Sequence, residues 1–133
     1  MNEIDKVREF FKGDLYATSA TGIEISEIGD RWAKCTLTLD SRHKNAAGQV
    51  MGGVIFTLAD FAFAVASNYS GIPSVTIECN IRYFAATKGN KLIAVCKADK
   101  EGNTLGHYTV EITDNLGKTI ADYTAIAFHL NKN

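Results

Sequence analysis

A single carboxylate stands in the middle of the most apolar stretch of this chain. The stretch runs from Val54 to Ala66 and is apolar except for Thr57 and Asp60. A helix that is apolar on every side is a buried helix, and a carboxylate inside it costs free energy unless it is paired, hydrogen-bonded or used. A mid-helix aspartate usually points to water or caps a loop. Here the helix offers Asp60 little solvent-facing surface, which makes it a candidate functional residue.

A polar stripe runs along the predicted helix and includes that carboxylate. Steps of three, four and seven residues return to the same side of a helix, and they bring four residues close to one face: Gly53, Thr57, Asp60 and Ser67. The helix begins at the pair Gly52-Gly53, where backbone N–H groups stabilise negative charge and glycine lets a substrate approach the backbone. This pattern fits attack on a carbonyl carbon, with the developing oxyanion at the helix start.

The spacing within the stripe bears on the oligomeric state. Gly53 and Asp60 are seven residues apart, which is about 10 Å along a helix axis. A reacting carbon must lie roughly 3 Å from both the oxyanion donor and the attacking group, so one helix cannot supply both to one carbonyl. Two antiparallel helices related by a two-fold axis can. We therefore expect at least a dimer, with Gly53 of one subunit facing Asp60 of the other.

The composition is that of one globular domain spanning residues 1–133. Hydrophobic residues make up 46% of the chain, and a chain of this length buries roughly two-thirds of its unfolded surface. The formal net charge of −1 and the absence of a basic run argue against nucleic-acid binding. The dispersed lysines and arginines argue against a membrane-surface helix, and the apolar stretch is too short to span a bilayer comfortably.

The three cysteines, Cys35, Cys79 and Cys96, form no CxxC pair, so neither a zinc site nor a redox pair is indicated. Each lies in an apolar strand-like run, where we expect a small core residue. Unpaired cysteines and a polar N-terminus unlike a signal peptide predict a reducing, cytoplasmic setting.

The histidines have no metal-ligand spacing, so we expect no metal. His43, in the loop before the central helix, is expected to be a solvated residue, with a general base as the alternative. His107 and His129, within or at the ends of strands, are expected to be partners of neighbouring polar groups.

The elements that must position the stripe follow from hydrophobic periodicity. A short amphipathic helix is predicted near the N-terminus, with an apolar face of Ile4, Val7, Phe10, Phe11 and Leu15. The central helix is predicted from Gly52 to Tyr69. Six strands are predicted at residues 23–28, 33–39, 75–83, 91–100, 105–113 and 119–130, and turns of Gly, Asn and Asp favour an antiparallel meander for the last four. The economical arrangement is an α+β fold whose sheet curls around the helix.

The stretch from Asn45 to Ala64 resembles the signature of the hotdog-fold thioesterases of the phenylacetate-degradation PaaI type. That pattern is Asn, a short gap, His-Gly-Gly, six residues and Asp inside the central helix, and it is matched by Asn45, Gly52, Gly53 and Asp60. The element order matches from about residue 8 to residue 130. The resemblance implies a hotdog fold, with one long central helix wrapped by a curved antiparallel sheet of about six strands.

The resemblance also implies an activity, the hydrolysis of an acyl-CoA thioester to a free acid and CoA. Asp60 would be the catalytic base or nucleophile, and the N–H of Gly53 would bind the thioester oxygen across a dimer interface. Asn45 would position water or substrate, and Thr76 would orient the attacking water. CoA is part of the substrate, so no separate cofactor is expected. The assembly implied is a homodimer or a homotetramer.

One position departs from the family pattern. Met51 stands where the family has the histidine before the glycines, so the local hydrogen bonding differs and the resemblance does not fix the substrate preference. We expect Met51, Gly52 and Thr57 to contact substrate. Arg82 and Lys88 are the candidates to meet CoA phosphates at the rim.

Two alternatives remain at this point. One is a non-catalytic acyl-CoA-binding or regulatory hotdog protein, against which Asn45 and Asp60 argue, because binding an apolar ligand needs no buried carboxylate. The other is an acyl hydratase or dehydratase on the same fold. Those enzymes use an active-site histidine with an acidic partner, and Met51 removes the nearest candidate.

Overall fold

One antiparallel sheet of six strands surrounds one long helix in the computed structural model, which describes residues 1–68 and 73–130. In chain order the elements are helix α1 (Glu3–Phe11), a π-helical turn (Tyr16–Thr21), strands β1 (Glu24–Gly29) and β2 (Trp32–Thr38), a 3-10 turn (Ser41–His43), helix α2 (Gly52–Asn68) and strands β3 (Ser74–Tyr83), β4 (Lys91–Glu101), β5 (Leu105–Asp114) and β6 (Thr119–His129). Every predicted helix and strand is present, and its bounds agree to within a few residues. The predicted helix end at Tyr69 lies outside the described residues.

The strand order corrects the predicted meander. The order is β1-β2-β4-β5-β6-β3, with every neighbouring pair antiparallel. Strands β4, β5 and β6 do form a meander, but β3 pairs with β6 at the far edge. The segment 84–90 between β3 and β4 is too long for a tight hairpin, and β2 already occupies the other side of β4. Turn composition therefore predicted where strands end but not which strand each one joins.

Helix α2 is buried along most of its length by the sheet, as predicted. Phe61 and Phe63 are each 3% exposed, and a run of smaller apolar side chains on the same helix is fully buried: Leu58, Ala59, Ala62, Val65 and Ala66. Strands β5 and β6 alternate between buried and more exposed residues, so one face of the sheet covers the helix. Each fully buried large apolar side chain contributes about 1.5–3 kcal/mol, which makes α2 a rigid support for its polar residues.

Helix α1 presents a narrower apolar face than the sequence predicts. Phe11 is buried and packs edge-on against Phe61 at 5.7 Å, whereas Phe10 and Leu15 are exposed. The helix ends at Phe11, and the π-helical turn redirects the chain before Leu15 can join that face. None of the helices in the described ranges is long and apolar enough to cross a bilayer.

Two side-chain expectations were wrong. His43 is buried: its Nδ1 accepts from the N–H of Asp40 at 3.0 Å, and its Nε2 lies 2.7 Å from the carbonyl of Thr21. Its ring satisfies backbone groups at two bends, which a loop sequence does not reveal. Cys79 is exposed because β3 is an edge strand. Cys35 is buried as expected, and burial raises the pKa of its thiol to about 12.

Two of the three remaining side-chain expectations are confirmed and one is wrong. Cys96 is buried, as predicted. His129 has polar partners, as predicted: it bonds Ser74 and Glu101. His107 is exposed and makes no side-chain hydrogen bond among the described residues.

Candidate active site

Asp60 lies in the middle of α2 and opens onto a surface depression. It is half-buried, and its Oδ1 accepts a hydrogen bond from the hydroxyl of Tyr123 at 2.8 Å. Its Oδ2 has no partner among the described residues. Solvent reaches Oδ2, since no buried side-chain oxygen or nitrogen in that part of the chain lacks a partner. One oxygen of this carboxylate is therefore held and the other is available to a ligand.

The depression around Asp60 measures about 320 Å³ and lies between α2 and the π-helical turn. Its lining is Asp14, Leu15, Tyr16, Ala17, Thr57, Asp60, Phe61 and Ala64. The structure thus brings Thr57 and Asp60 together on one open face, as the stripe predicts. The Thr57 hydroxyl donates to the carbonyl of Gly53 at 2.7 Å.

A larger groove of about 660 Å³ adjoins this depression, sharing Asp14 and Ala64 with it. It runs between α1 and the C-terminal half of α2, and its lining is Glu3, Lys6, Val7, Phe10, Phe11, Asp14, Ala64, Asn68 and Pro73. Ser67 is not on this face: it is 3% exposed, and Ala64 and Asn68 take its place. A helix drifts about 20° for each seven residues, so the stripe turns away before Ser67.

The N-terminus of α2 supplies backbone donors. Neither Gly52 nor Gly53 donates its N–H to an acceptor among the described residues, as the first turn of a helix allows. A Cβ on Gly53 would meet no atom within 4 Å and the residue is exposed, so its backbone is accessible to a ligand. A Cβ on Gly52 would lie 3.2 Å from the ring of Tyr83, whose hydroxyl donates to the Gly52 carbonyl. Glycine thus makes room for a side chain at 52 and leaves a donor accessible at 53.

The loop before α2 carries two more predicted site residues at the surface. The Oδ1 of Asn45 accepts from the N–H groups of Ala47 and Gln49 at 3.0 and 3.1 Å, which holds the shape of the loop. Its Nδ2 makes no hydrogen bond within the described ranges. Met51 is 46% exposed, and its N–H donates to the carbonyl of His43.

Three predicted residues lie away from Asp60 within one chain. Thr76 is exposed on β3 beside a register shift, and Lys88 is exposed in the β3–β4 connection. Neither lines the depression around Asp60. Arg82 is also absent from that lining.

Arg82 is engaged in a paired interaction. Its guanidinium donates to both oxygens of Asp122, at 3.0 and 2.6 Å, and stacks over the ring of Phe84 at 5.2 Å. The hydrogen bond from Arg82 holds the pKa of the Asp122 carboxyl below its usual range. A phosphate would have to compete with that carboxylate for the guanidinium.

Tyr123 is the site residue that sequence reasoning missed. It is fully buried on β6, with its ring 5.6 Å from Phe56 and 6.2 Å from Phe63. Burial, followed by the neighbouring Asp60 carboxylate, raises the pKa of the Tyr123 hydroxyl far above its usual range, so it stays protonated and donates. The available signal was a tyrosine among the alternating small residues of β6, because a buried tyrosine hydroxyl usually needs a partner.

The fold is a hotdog fold, in which an antiparallel sheet wraps one helix. Backbone donors at the start of that helix and an accessible carboxylate at its middle are typical of a hydrolase site. A family model described as Thioesterase superfamily matches residues 47–121. The chain is 32% identical to a putative esterase of Archaeoglobus fulgidus, over 97% of this chain and 84% of that protein. It is 33% identical to the acyl-coenzyme A thioesterase PaaI of Escherichia coli, over 77% and 74% of the two chains.

The solved structure of E. coli PaaI, from the phenylacetic acid degradation operon, superposes on this chain with a TM-score of 0.89. The match covers 97% of this chain and 94% of the other, at 25% identity. The chain therefore belongs to the thioesterase superfamily, as a hotdog thioesterase of the PaaI type. The family and the fold implied by the resemblance are confirmed.

Proposed function

We propose that this protein is an acyl-CoA thioesterase that hydrolyses its substrate to a free acid and CoA. The observation that carries the proposal is Asp60, a carboxylate with one oxygen held by Tyr123 and the other open to a depression. Membership of the thioesterase superfamily supports it, as does the 33% identity to a protein named acyl-coenzyme A thioesterase.

Each proposed site residue has a defined role in the hydrolysis. As a base, Asp60 takes a proton from water while the water oxygen bonds to the thioester carbon. The carbonyl oxygen becomes negative and is stabilised by the N–H of Gly53 at the positive end of the helix dipole. The carbon–sulfur bond then breaks, and the CoA sulfur leaves and takes up a proton. Asn45 would use its Nδ2 to position substrate or water, and Thr76 would orient the water.

As a nucleophile, Asp60 would instead attack the acyl carbon and displace the CoA thiolate, which takes up a proton, to form a mixed anhydride that water then cleaves. The two routes differ in where the oxygen of water goes when water opens the anhydride at the Asp60 carboxyl carbon. A single turnover in ¹⁸O-water leaves the label in the product acid if Asp60 is a base, and places it in the Asp60 side chain if water opens the anhydride at that carboxyl carbon. Label found by mass spectrometry in the peptide that contains Asp60 would show the nucleophilic route, whereas label in the acid alone fits the base route and opening of the anhydride at its acyl carbon.

The site is proposed to be shared between two subunits. The axial separation of about 10 Å between Gly53 and Asp60 prevents one helix from serving one carbonyl. Strand β3 supports a paired assembly because it is a long edge strand with apolar side chains exposed at Val75 and Ile77. Such an edge is usually covered, and Tyr83 on the same strand reaches the start of α2. We propose a homodimer or a dimer of dimers.

Mixing two inactive variants tests the shared site. Asp60→Asn removes the base, and Gly53→Pro removes the oxyanion donor. A mixed dimer carries one doubly damaged site and one intact site, so subunit exchange should restore part of the activity. A mixture that exchanges subunits, shown by native mass spectrometry, and stays inactive contradicts the shared site.

The groove beside α1 is the proposed place for the acyl group. It leads away from Asp60 past Ala64, and its apolar walls include Val7 and Phe11. Ala64→Phe should block the junction and reduce turnover of long or aryl acyl-CoA far more than turnover of acetyl-CoA. Equal losses on all substrates would contradict this placement. Lys88, which has no ion-pair partner among the described residues, is the better candidate than Arg82 for a CoA phosphate.

Free-thiol release from a panel of acyl-CoA substrates tests the activity itself. We expect turnover by the wild-type protein and its loss in Asp60→Asn. A non-catalytic binder would bind acyl-CoA in calorimetry without releasing thiol. A hydratase would consume an enoyl-CoA without releasing thiol. Either result would overturn the proposed function.

A further inference from the structure

A single hydrogen bond ties Asp60 to the sheet. The bond joins its Oδ1 to the hydroxyl of Tyr123, a residue 63 positions away in the sequence. The tyrosine ring packs against Phe56 and Phe63, so its hydroxyl cannot move unless these rings move. An aspartate without such a tether samples a broad range of χ2 angles.

We propose that Tyr123 is the positioning residue of the thioesterase site, a role that rests on the function proposed above. Its hydroxyl fixes Oδ1 and thereby directs Oδ2 of Asp60 into the depression where the thioester would bind. Holding an attacking group in a reactive orientation lowers the barrier without adding substrate affinity. Tyr123 therefore contributes to kcat through Asp60 and touches no substrate.

Few other polar groups lie around the Asp60 carboxylate in the described part of the chain. The titratable groups that share the depression with Asp60 are the Asp14 carboxylate and the Tyr16 phenol, and no lysine, arginine or histidine lines it. The Cys79 thiol lies against the Tyr123 hydroxyl from β3. Among the described residues, Tyr123 is thus the one hydrogen-bond donor to Asp60. Losing this donor leaves the Asp60 carboxylate with no described partner to hold its orientation.

The chain offers a matched control for the tyrosine. Tyr108 is also buried, also contacts the ring of Phe63, at 5.3 Å, and also donates to a carboxylate, that of Glu101. Phenylalanine at either position keeps the ring and removes one hydroxyl. Tyr123→Phe should lower kcat about 10- to 100-fold, the scale of a hydrogen bond to a charged group, and leave KM within about twofold. Tyr108→Phe should keep both kcat and KM at their wild-type values.

A second measurement separates positioning from general damage. In an Asp60→Asn background, Tyr123→Phe should lower the residual rate little further, because the group it positions is already gone. The proposal is overturned if Tyr123→Phe behaves like Tyr108→Phe, if it lowers the rate equally in both backgrounds, or if it alone fails to fold by circular dichroism. A wild-type protein that releases no thiol overturns the proposed function itself, and this inference with it.

Discussion

Two carboxylates in this protein accept a hydrogen bond from a buried tyrosine, and the two tyrosines contact the same phenylalanine ring. Asp60 is bonded by Tyr123 and Glu101 by Tyr108, and both rings lie against Phe63. The two carboxylates differ in the number and the charge of their other partners. That difference separates a group available for reaction from a group that holds the structure together.

Both side-chain oxygens of Glu101 have bonding partners. Besides Tyr108, its Oε2 is paired with Arg31 at 3.3 Å, and its Oε1 is bonded by Nε2 of His129. The other nitrogen of His129 lies 2.8 Å from the hydroxyl of Ser74. This network joins the ends of strands β3, β4 and β6, and its charge is balanced by Arg31. Asp60 has one donor and no cation among the described residues, so its second oxygen remains free to act.

The largest effect is expected for Asp60→Asn. The change keeps the shape and removes the charge and the basicity, so turnover should fall about 10²- to 10⁴-fold. The thermal midpoint should stay close to the wild-type value, because Asp60 has a single described partner. Thiol release and calorimetry measure both quantities. Near-normal turnover would show that the open carboxylate is not the reactive one.

Glu101→Gln should lower the stability of the protein and leave its turnover unchanged, the reverse of Asp60→Asn. Three described partners lose the charge they bind, and Glu101 is only 17% exposed, so we expect a loss of about 3 kcal/mol in the free energy of unfolding. Turnover per folded molecule should be unchanged. Urea unfolding with an unchanged slope measures the stability. A variant that is stable but inactive would reverse the roles assigned to the two carboxylates.

Tyr108→Phe should cost less than Glu101→Gln. It removes one of the three contacts to Glu101 and keeps the ring against Phe63, so we expect a loss of about 1–2 kcal/mol. Paired urea titrations of the two variants test the order. Equal losses would mean that the tyrosine alone carries the network.

The smallest effect is expected at Asp114, a carboxylate at the β5–β6 turn that, like Glu101, has several hydrogen-bond donors. Its hydrogen bond from the Thr87 hydroxyl, helped by the N–H groups of Lys118 and Leu116, lowers the pKa of the carboxyl in the folded protein. A folded-state pKa below the unfolded one contributes stability above the unfolded pKa, which is lost as pH falls through the folded pKa.

The Asp114→Asn variant should therefore be less stable than wild type near neutral pH. The difference should shrink at about pH 2, below the ordinary aspartate pKa. Unfolding curves at the two pH values measure it. A difference that stays constant with pH would mean that the charge of Asp114 is not what stabilises the turn.

The central features of the site could be predicted because they are local. Hydrophobic periodicity predicted α2 and its burial, and the spacing of Gly53 and Asp60 follows directly from helix geometry. Alternation and turn residues predicted six strands to within a few residues. Each of these depends on neighbours a few positions away in the chain, so the amino-acid sequence alone determined them.

The tertiary structure decided what surrounds those features. Strand β3 joins β6 across the sheet, and that pairing leaves Cys79 at an exposed edge. The register of β6 places Tyr123 beside Asp60, and the ends of distant strands assemble the Glu101 network. Except for the bond between Tyr108 and Glu101, these contacts join residues tens of positions apart, and all of them depend on which strands pair and in what register. Local sequence patterns contain neither the strand pairing nor the register. Only the folded chain therefore shows that one oxygen of Asp60 is free and that both oxygens of Glu101 have partners.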